Sequence, residues 1–193
     1  NNFLQQRCAP YLTAVQKYAS KIRILDPVSN TWKLPLSSSP EYHDNSVKAW
    51  FSNITNYDLS LLKSLQQEYT EATKKANSFN AALAGKVAYP AYDVNETGLT
   101  IAANQNLEES HRHHAQLMPL YPIADLDINK ETDAAIINKS LGWLEKTGTR
   151  LWCGYSFSWA ACIYAKAKQG DSAAKMLQIF ANNFVSTNSF HLN

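Results

Sequence analysis

Long apolar runs are missing from this sequence. None of its 193 residues lies in a stretch that approaches the roughly 18 consecutive apolar residues of a membrane span, so no membrane span is predicted. Lysine and arginine number 18 against 16 aspartates and glutamates, without a basic stripe, which argues against a nucleic-acid partner. The GxSxG, GxGxxG and P-loop motifs are absent too. The sequence therefore gives no support for a serine nucleophile, a dinucleotide-binding site or a phosphate-binding loop.

Cysteine is scarce as well. The three cysteines, Cys8, Cys153 and Cys162, are odd in number and far apart. They provide neither a disulfide framework nor the CxxC spacing of a metal site. Free cysteine behaves as a small hydrophobic residue, so we expect three ordinary half-buried thiols.

Helical periodicity is what the chain has in abundance. Apolar residues recur three and four positions apart in five segments: 3–24, 56–79, about 131–146, about 155–168 and about 172–185. Pro10 predicts a late start or a kink in the first helix. Its predicted apolar face consists of Leu4, Cys8, Tyr11, Val15, Tyr18 and Ile22. Gly170 and Asp171 predict a break, and Ser172 the N-cap of the last helix.

Two long irregular segments separate these helices. Residues 26–54 lose the periodicity and hold three prolines, and residues 80–123 are mixed, with a short strand predicted at Leu99–Ala102. Long loops in a compact domain are often functional. The pattern predicts a mostly α fold with long irregular loops, as one domain over residues 1–193.

The first candidate site lies in the segment LPLSSSPEYHDNS, residues 34–46. Glu41 follows a proline and has Tyr42, Trp50 and Phe51 nearby. Desolvation beside aromatic groups would raise the pKa of this carboxyl, as a general acid at neutral pH requires. The alternative is a solvent-facing turn in which Glu41 is an ordinary surface charge.

The second candidate is the segment ESHRHHAQLMPLYP, residues 109–122. In an extended segment His111 and His113 share a face and, with a third ligand, could hold zinc. No HExxH spacing or clustered cysteine supports a metal there. Imidazoles and the planar Arg112 fork also suit a wall that hydrogen-bonds a polyhydroxylated ligand. A polar turn with Arg112 tied to a neighbouring acid is the third interpretation.

The third candidate is RLWCGYSFSWAAC, residues 150–162. Trp152, Tyr155, Phe157 and Trp159 crowd the start of a predicted helix beside Gly154. Aromatic residues at this density most often belong to a core. A tryptophan at the mouth of a cavity is also a common arrangement for carbohydrate binding, so both interpretations stay open.

Taken in order, these stretches resemble the catalytic domain of glycoside hydrolase family 95. The segments that carry the resemblance are LPLSSSPE with the following DNS, SHRHHAQLMPLYP, WCGYSFSWAACIYAKAKQGDSAAKMLQIFANNF and NSFHLN. The family comprises inverting α-L-fucosidase-type enzymes, some acting on α-L-galactosides. The resemblance implies an (α/α)6 toroid, with helical hairpins around a central cavity, of which this chain is the C-terminal part.

The resemblance also implies a site. The glutamate of the Ser-Pro-Glu motif, the family's general acid, falls on Glu41. The His-Arg-His motif that lines the sugar pocket falls on His111, Arg112 and His113. The helix start falls on Gly154, Tyr155 and Ser156, with Tyr155 and Trp159 shaping the pocket. No metal and no cofactor are expected, and the partner is an oligosaccharide or glycan substrate.

Two departures from the family pattern stand out. A Ser-His pair common after the His-Arg-His motif reads Ala115-Gln116 here, which bears on substrate preference. The family's general base, an aspartate, is expected beyond Asn193, so the 193 residues alone are expected to be inactive. Half a ring would expose helix faces, so we expect either a homo-oligomer through them or a molecule with disordered parts.

The family resemblance further predicts a periplasmic or extracellular location for the parent protein. An alternative function is a non-catalytic helical carbohydrate-binding or scaffold domain.

Overall fold

The structure is a computed structural model that describes residues 2–77 and 79–192. Its α-helices are α1 (Ala9–Ile22), α2 (Asn56–Lys75), α3 (Glu131–Thr147), α4 (Gly154–Lys166) and α5 (Gly170–Asn183). Two small antiparallel pairs join β1 (Ile24–Asp26) to β2 (Thr31–Lys33) and β3 (Val94–Asn95) to β4 (Gly98–Leu99). The predicted mostly α fold is confirmed. Within the described ranges no helix has the length and apolar character to cross a membrane.

The first helix has an irregular start. A π-helical turn at Leu4–Cys8 leads into α1, whose first turn contains Pro10. Proline lacks the amide hydrogen of a regular helical bond, and the helix is distorted to a π-helical turn just before it, with the Ala9 amide donating to the Leu4 carbonyl. The helical backbone already begins at residue 2, so the predicted late start is wrong, and the irregularity near Pro10 lies within the helix.

The predicted apolar face of α1 is wrong at its two tyrosines, whereas its other members are half-buried. Tyr11 and Tyr18 are 69% and 64% exposed, whereas Ala9, Gln16 and Ala19 are buried. The buried Gln16 amide donates a 2.6 Å hydrogen bond to the Gln66 side chain on α2. A polar pair thus occupies the contact between the helices, and the tyrosines are turned to solvent.

The other helices match the sequence pattern to within a few residues, except at the start of α5. Helix α5 begins at Gly170, so Gly170, Asp171 and Ser172 form its first turn and the predicted N-cap at Ser172 is wrong. A turn of three residues joins α4 to α5, with Lys168 in the left-handed region. The two helices pack as a hairpin.

The main core lies between α3, α4 and the long loop before α3. Its buried members include Leu107, Leu117, Leu120, Ile137, Leu141, Leu144, Ala160 and Ile163. Strand β4 covers only the first part of the predicted strand Leu99–Ala102. Gly98 lies so close to the Ser140 backbone on α3 that no Cβ fits there, and the Leu99 amide donates to the Ser140 hydroxyl at 2.9 Å. The loop is thereby fixed on α3.

A second core cluster supports the other long loop. Ala19 of α1, Leu59 and Leu62 of α2, and Leu34 and Ile54 of the loop form it. This segment, predicted to be irregular, contains the β1–β2 hairpin at its start. The remainder of the loop packs along the N-terminal end of α2 and presents Glu41.

Candidate active site

Glu41 is at the tip of a tightly turned loop. The backbone of Glu41, His43 and Asp44 is left-handed, with φ of 55°, 54° and 53°. Non-glycine residues pay roughly 1–2 kcal/mol each in this region, so the surrounding structure must hold them there. The Asp44 amide donates to the Glu41 carbonyl at 3.1 Å, and the Ser46 amide to that of His43 at 3.0 Å. The Glu41 side chain projects from this loop and is 41% exposed.

Arg112 is the principal partner of Glu41. Its Nε–H donates to Glu41 Oε2 at 2.5 Å, and a terminal guanidinium nitrogen contacts the same oxygen. The Arg112 hydrogen bond holds the pKa of the Glu41 carboxyl below its ordinary value. The expectation of a raised pKa is wrong for this structure, because the exposed carboxylate is paired with a cation 71 residues away in sequence.

His113 connects this ion pair to α4. Its Nε2 shares a 3.0 Å hydrogen bond with the Tyr155 hydroxyl. Its Nδ1 lies 3.7 Å from Glu41 Oε2 and has no hydrogen-bond partner of its own. Burial lowers the pKa of His113, and burial together with the Cys153 thiol raises the pKa of Tyr155 to about 12. Both side chains are therefore neutral at pH 7.

His111 lies beside His113 and, with Arg112 and His113, forms what we call the polar wall. Its Nδ1 accepts the His113 amide at 3.1 Å, and the two imidazole centroids are 5.4 Å apart. The Tyr42 ring packs on the other side of His111, at 5.9 Å between centroids. In the described part of the chain, no group of three or more His, Cys, Asp or Glu side chains is arranged to hold a metal ion.

The N-terminal end of α4 aligns the histidine segment. The Ser156 hydroxyl donates to the Arg112 carbonyl at 2.7 Å, and His114 Nε2 is 3.0 Å from the Ser156 carbonyl. Gly154 has no room for a Cβ because the His191 ring and the Leu192 carbonyl lie against it. A larger residue would displace the helix end, and Tyr155 with it, from the Glu41 cluster.

His114 is a core residue rather than a member of the polar wall. It is completely buried, and its ring packs on Trp152 at 4.5 Å and Trp159 at 5.5 Å between centroids. Burial lowers its pKa to about 4, so the imidazole is neutral at pH 7. Of the four residues His111–His114, Arg112 and His113 contact Glu41, and His111 packs beside His113.

An aromatic cleft of about 490 Å³ adjoins the cluster through Tyr155. Its walls are Met118, Tyr121, Pro122, Tyr155, Ser158, Trp159 and Cys162. The Trp159 indole N–H donates to the Tyr121 carbonyl at 3.3 Å, which fixes the ring as one wall. A larger groove of about 680 Å³ runs along α2, but it contains none of the predicted site residues. We therefore place the site at the smaller cleft.

The structure thus brings together Glu41, His111, Arg112, His113 and Tyr155, with Trp159 in the adjoining cleft. Sequence reasoning named Tyr42 only as an aromatic neighbour of Glu41 and missed that its buried hydroxyl donates to the Asn106 carbonyl at 3.0 Å, which anchors the loop next to Glu41. A buried tyrosine hydroxyl has no sequence signal. Gln116, where the chain departs from the family pattern, is buried, and its Oε1 lacks a hydrogen-bond partner.

The ion pair predicts a measurable change in Glu41. Replacing Arg112 by methionine removes the hydrogen bond that lowers the carboxyl pKa, so that pKa will rise. Carbon-13 NMR titration of labelled glutamate measures it, with Arg150→Met as the control that leaves Glu41 unchanged. In the unmutated protein the Arg112–Glu41 pair stabilises the fold at pH values above the pKa that glutamate has in the unfolded chain. This stabilisation is lost as the pH falls through the lowered pKa of Glu41 in the folded protein. An unchanged Glu41 titration in Arg112→Met would contradict the pairing.

Comparison with known sequences gives one family. The sequence model of the glycosyl hydrolase family 95 catalytic domain matches residues 1–193, the whole chain. No curated protein matches the chain.

Proposed function

The chain belongs to glycosyl hydrolase family 95, and from this premise we propose that its parent enzyme hydrolyses terminal α-L-fucosyl or α-L-galactosyl linkages with inversion. The observation that carries the proposal is the cluster at Glu41. Arg112 and His113 contact one exposed carboxylate that lies about 70 residues earlier in the sequence, and Tyr155 of α4 is joined to it through His113, beside an aromatic cleft. Hydrogen-bonding side chains, an aromatic cleft and a carboxyl group at the edge of the cleft together support a sugar-binding site with a catalytic acid.

In the proposed reaction Glu41 protonates the leaving glycosidic oxygen. A water molecule, activated by a second carboxylate, attacks the anomeric carbon from the opposite face, and the two carboxyl groups are about 6.5–9.5 Å apart in such enzymes. The groups that lower the pKa of Glu41 are the Arg112 guanidinium and the imidazoles of His113 and His111, and none of them is a carboxyl. We assign the base, on the family resemblance, to an aspartate after Asn193.

Glu41 must be protonated before it can act, and Arg112 opposes this in the resting state. Sugar hydroxyls that accept hydrogen bonds from the Arg112 guanidinium would replace the Glu41 carboxylate as its partner. The pKa of Glu41 would then rise, and the carboxylate would take up a proton from solvent. His111 and His113 hydrogen-bond the sugar, while Tyr155 and Trp159 pack against its ring in the cleft. Substrate binding is thus coupled to protonation of Glu41.

We further propose that the helices belong to an (α/α)6 toroid around a central cavity. We also propose that the protein is periplasmic or extracellular and that it associates through exposed helix faces. The exposed tyrosines of α1 and Leu177 of α5, which is 52% exposed, support the last of these.

The test is the anomeric configuration of the first product. The full-length enzyme is mixed with an aryl α-L-fucoside or α-L-galactoside, and proton NMR follows the sugar within the first minutes. We expect hydrolysis in which the β-anomer forms first. First formation of the α-anomer would contradict inversion. Binding without hydrolysis of either sugar would favour the alternative, a non-catalytic carbohydrate-binding domain.

A further inference from the structure

The loop that carries Glu41 is attached to α2 by an unusual cap. Thr55 is the N-cap of α2, and its hydroxyl accepts the Asp58 amide at 3.2 Å. In a standard capping box, the third helical residue would return its side chain to the N-cap amide. Here the hydroxyl of Ser37 is inserted between the two groups. The Thr55 amide donates to Ser37 Oγ at 2.9 Å, and that hydroxyl donates to Asp58 Oδ2 at 2.6 Å.

Further contacts make this cap a clamp on the loop. The Thr55 hydroxyl also donates to the Ser38 carbonyl at 3.1 Å. The Ser37 backbone exchanges hydrogen bonds of 3.0 and 2.8 Å with Phe51. Ser37 and Thr55 are buried, so solvent cannot replace these contacts. We call Ser37, Thr55 and Asp58 the Ser37 clamp.

The clamp and Tyr42 bracket Glu41. Ser37 precedes Glu41 by four residues and is fixed on α2, whereas Tyr42 follows it directly and is fixed on the Asn106 carbonyl. Between these anchors the backbone is left-handed at Glu41. A strained conformation persists only where its surroundings over-determine it. Release of one anchor lets the loop relax and moves the carboxyl.

We propose that Asp58 is a positioning residue for Glu41, acting through the Ser37 clamp. The proposal rests on the proposed function, in which Glu41 is the general acid. Asp58 does not touch the Glu41 cluster, and its role is to place the acid where its proton reaches the leaving oxygen. Misplacement by about 1 Å can cost on the order of 100-fold in rate.

The experiment compares Asp58→Asn and Ser37→Ala in the full-length enzyme. Both remove part of the clamp, and asparagine preserves the volume of Asp58. With an α-L-fucoside of an unactivated alcohol we expect kcat to fall roughly 10- to 100-fold, with KM within about threefold. An aryl fucoside with a very good leaving group needs little protonation, so its turnover is expected to stay within about threefold.

A matched control tests whether the effect is specific. Asp133 is likewise the third residue of its helix, α3, and accepts a backbone amide, that of Asp127, at 3.0 Å. Asp133→Asn is expected to leave the dependence on the leaving group unchanged. Thermal unfolding of each variant measures stability separately. If Asp58→Asn fails to fold, Ser37→Ala carries the comparison.

A double-mutant cycle decides between positioning and general support. If Asp58 acts through Glu41, Asp58→Asn adds no further loss in a Glu41→Gln background. An additional loss there, or equal losses on both substrates, would overturn the proposal. If Glu41→Gln alone leaves turnover of the unactivated substrate intact, the proposed function fails, and this outcome is distinct from a failure of Asp58→Asn alone.

Discussion

Replacement of Glu41 by glutamine is expected to lower turnover of an unactivated α-L-fucoside by about 10²–10⁴-fold, the usual contribution of a general acid. Glutamine has nearly the same size and can remain near Arg112, but its amide has no acidic proton to transfer to the leaving oxygen. The binding groups His111, His113 and Trp159 are unchanged, so KM is expected to change little. Steady-state kinetics on the full-length enzyme measures both constants.

The control for this variant lies in the same loop. Asp44 is three residues away, has the same left-handed backbone and lies outside the proposed machinery. Asp44→Asn conserves that conformation, because asparagine tolerates it well. Turnover close to the parent level is expected for Asp44→Asn. Equal losses in both variants would show that the loop, not the acid, had been disturbed.

Acid pH is expected to destabilise the fold through His114. Its folded-state pKa of about 4 lies below the ordinary value of 6.5, so the unfolded chain binds the proton more tightly. The stabilisation is complete above pH 6.5 and is lost as pH falls toward 4. The shift corresponds to about 3 kcal/mol in the free energy of unfolding.

Urea unfolding at pH 7.5 and pH 4 measures this loss, and His114→Gln isolates it. Glutamine can still donate to the Ser156 carbonyl, yet it does not titrate. The variant is expected to lose about 3 kcal/mol less than the parent between the two pH values. His191→Gln, at an exposed position, is expected to follow the parent. An unaltered pH dependence in His114→Gln would show that His114 is not the group responsible.

The helices could be predicted because their apolar residues repeat with the period of the helix. The period does not say which neighbour meets a helix, and this is why Tyr11 and Tyr18 were wrongly assigned to the buried face of α1. Gln16 is buried because it pairs with Gln66 on α2. Such a contact depends on the tertiary arrangement and leaves no mark on the period of α1.

In the candidate site, too, the residue types could be predicted from the sequence but their contacts could not. Its residue types were visible in three short segments, and the structure brings Glu41, Arg112 and Tyr155 into one cluster. The direction of the Glu41 pKa was not predictable, because it depends on a cation brought close by folding. Sequence reasoning predicted a helix from residue 56 but did not identify its cap at Thr55. That Ser37 enters this cap is a property of the fold alone.

The pH dependence of kcat tests the acid role of Glu41 most directly, because kcat reports the enzyme–substrate complex, in which Arg112 has left the carboxylate. A general acid works only while protonated, so the rate with an unactivated fucoside falls as pH rises through its pKa. The full-length enzyme is expected to show this alkaline limb, and Glu41→Gln is expected to lose it while keeping any acidic limb from the base. An alkaline limb that persists unchanged in Glu41→Gln would contradict the assignment.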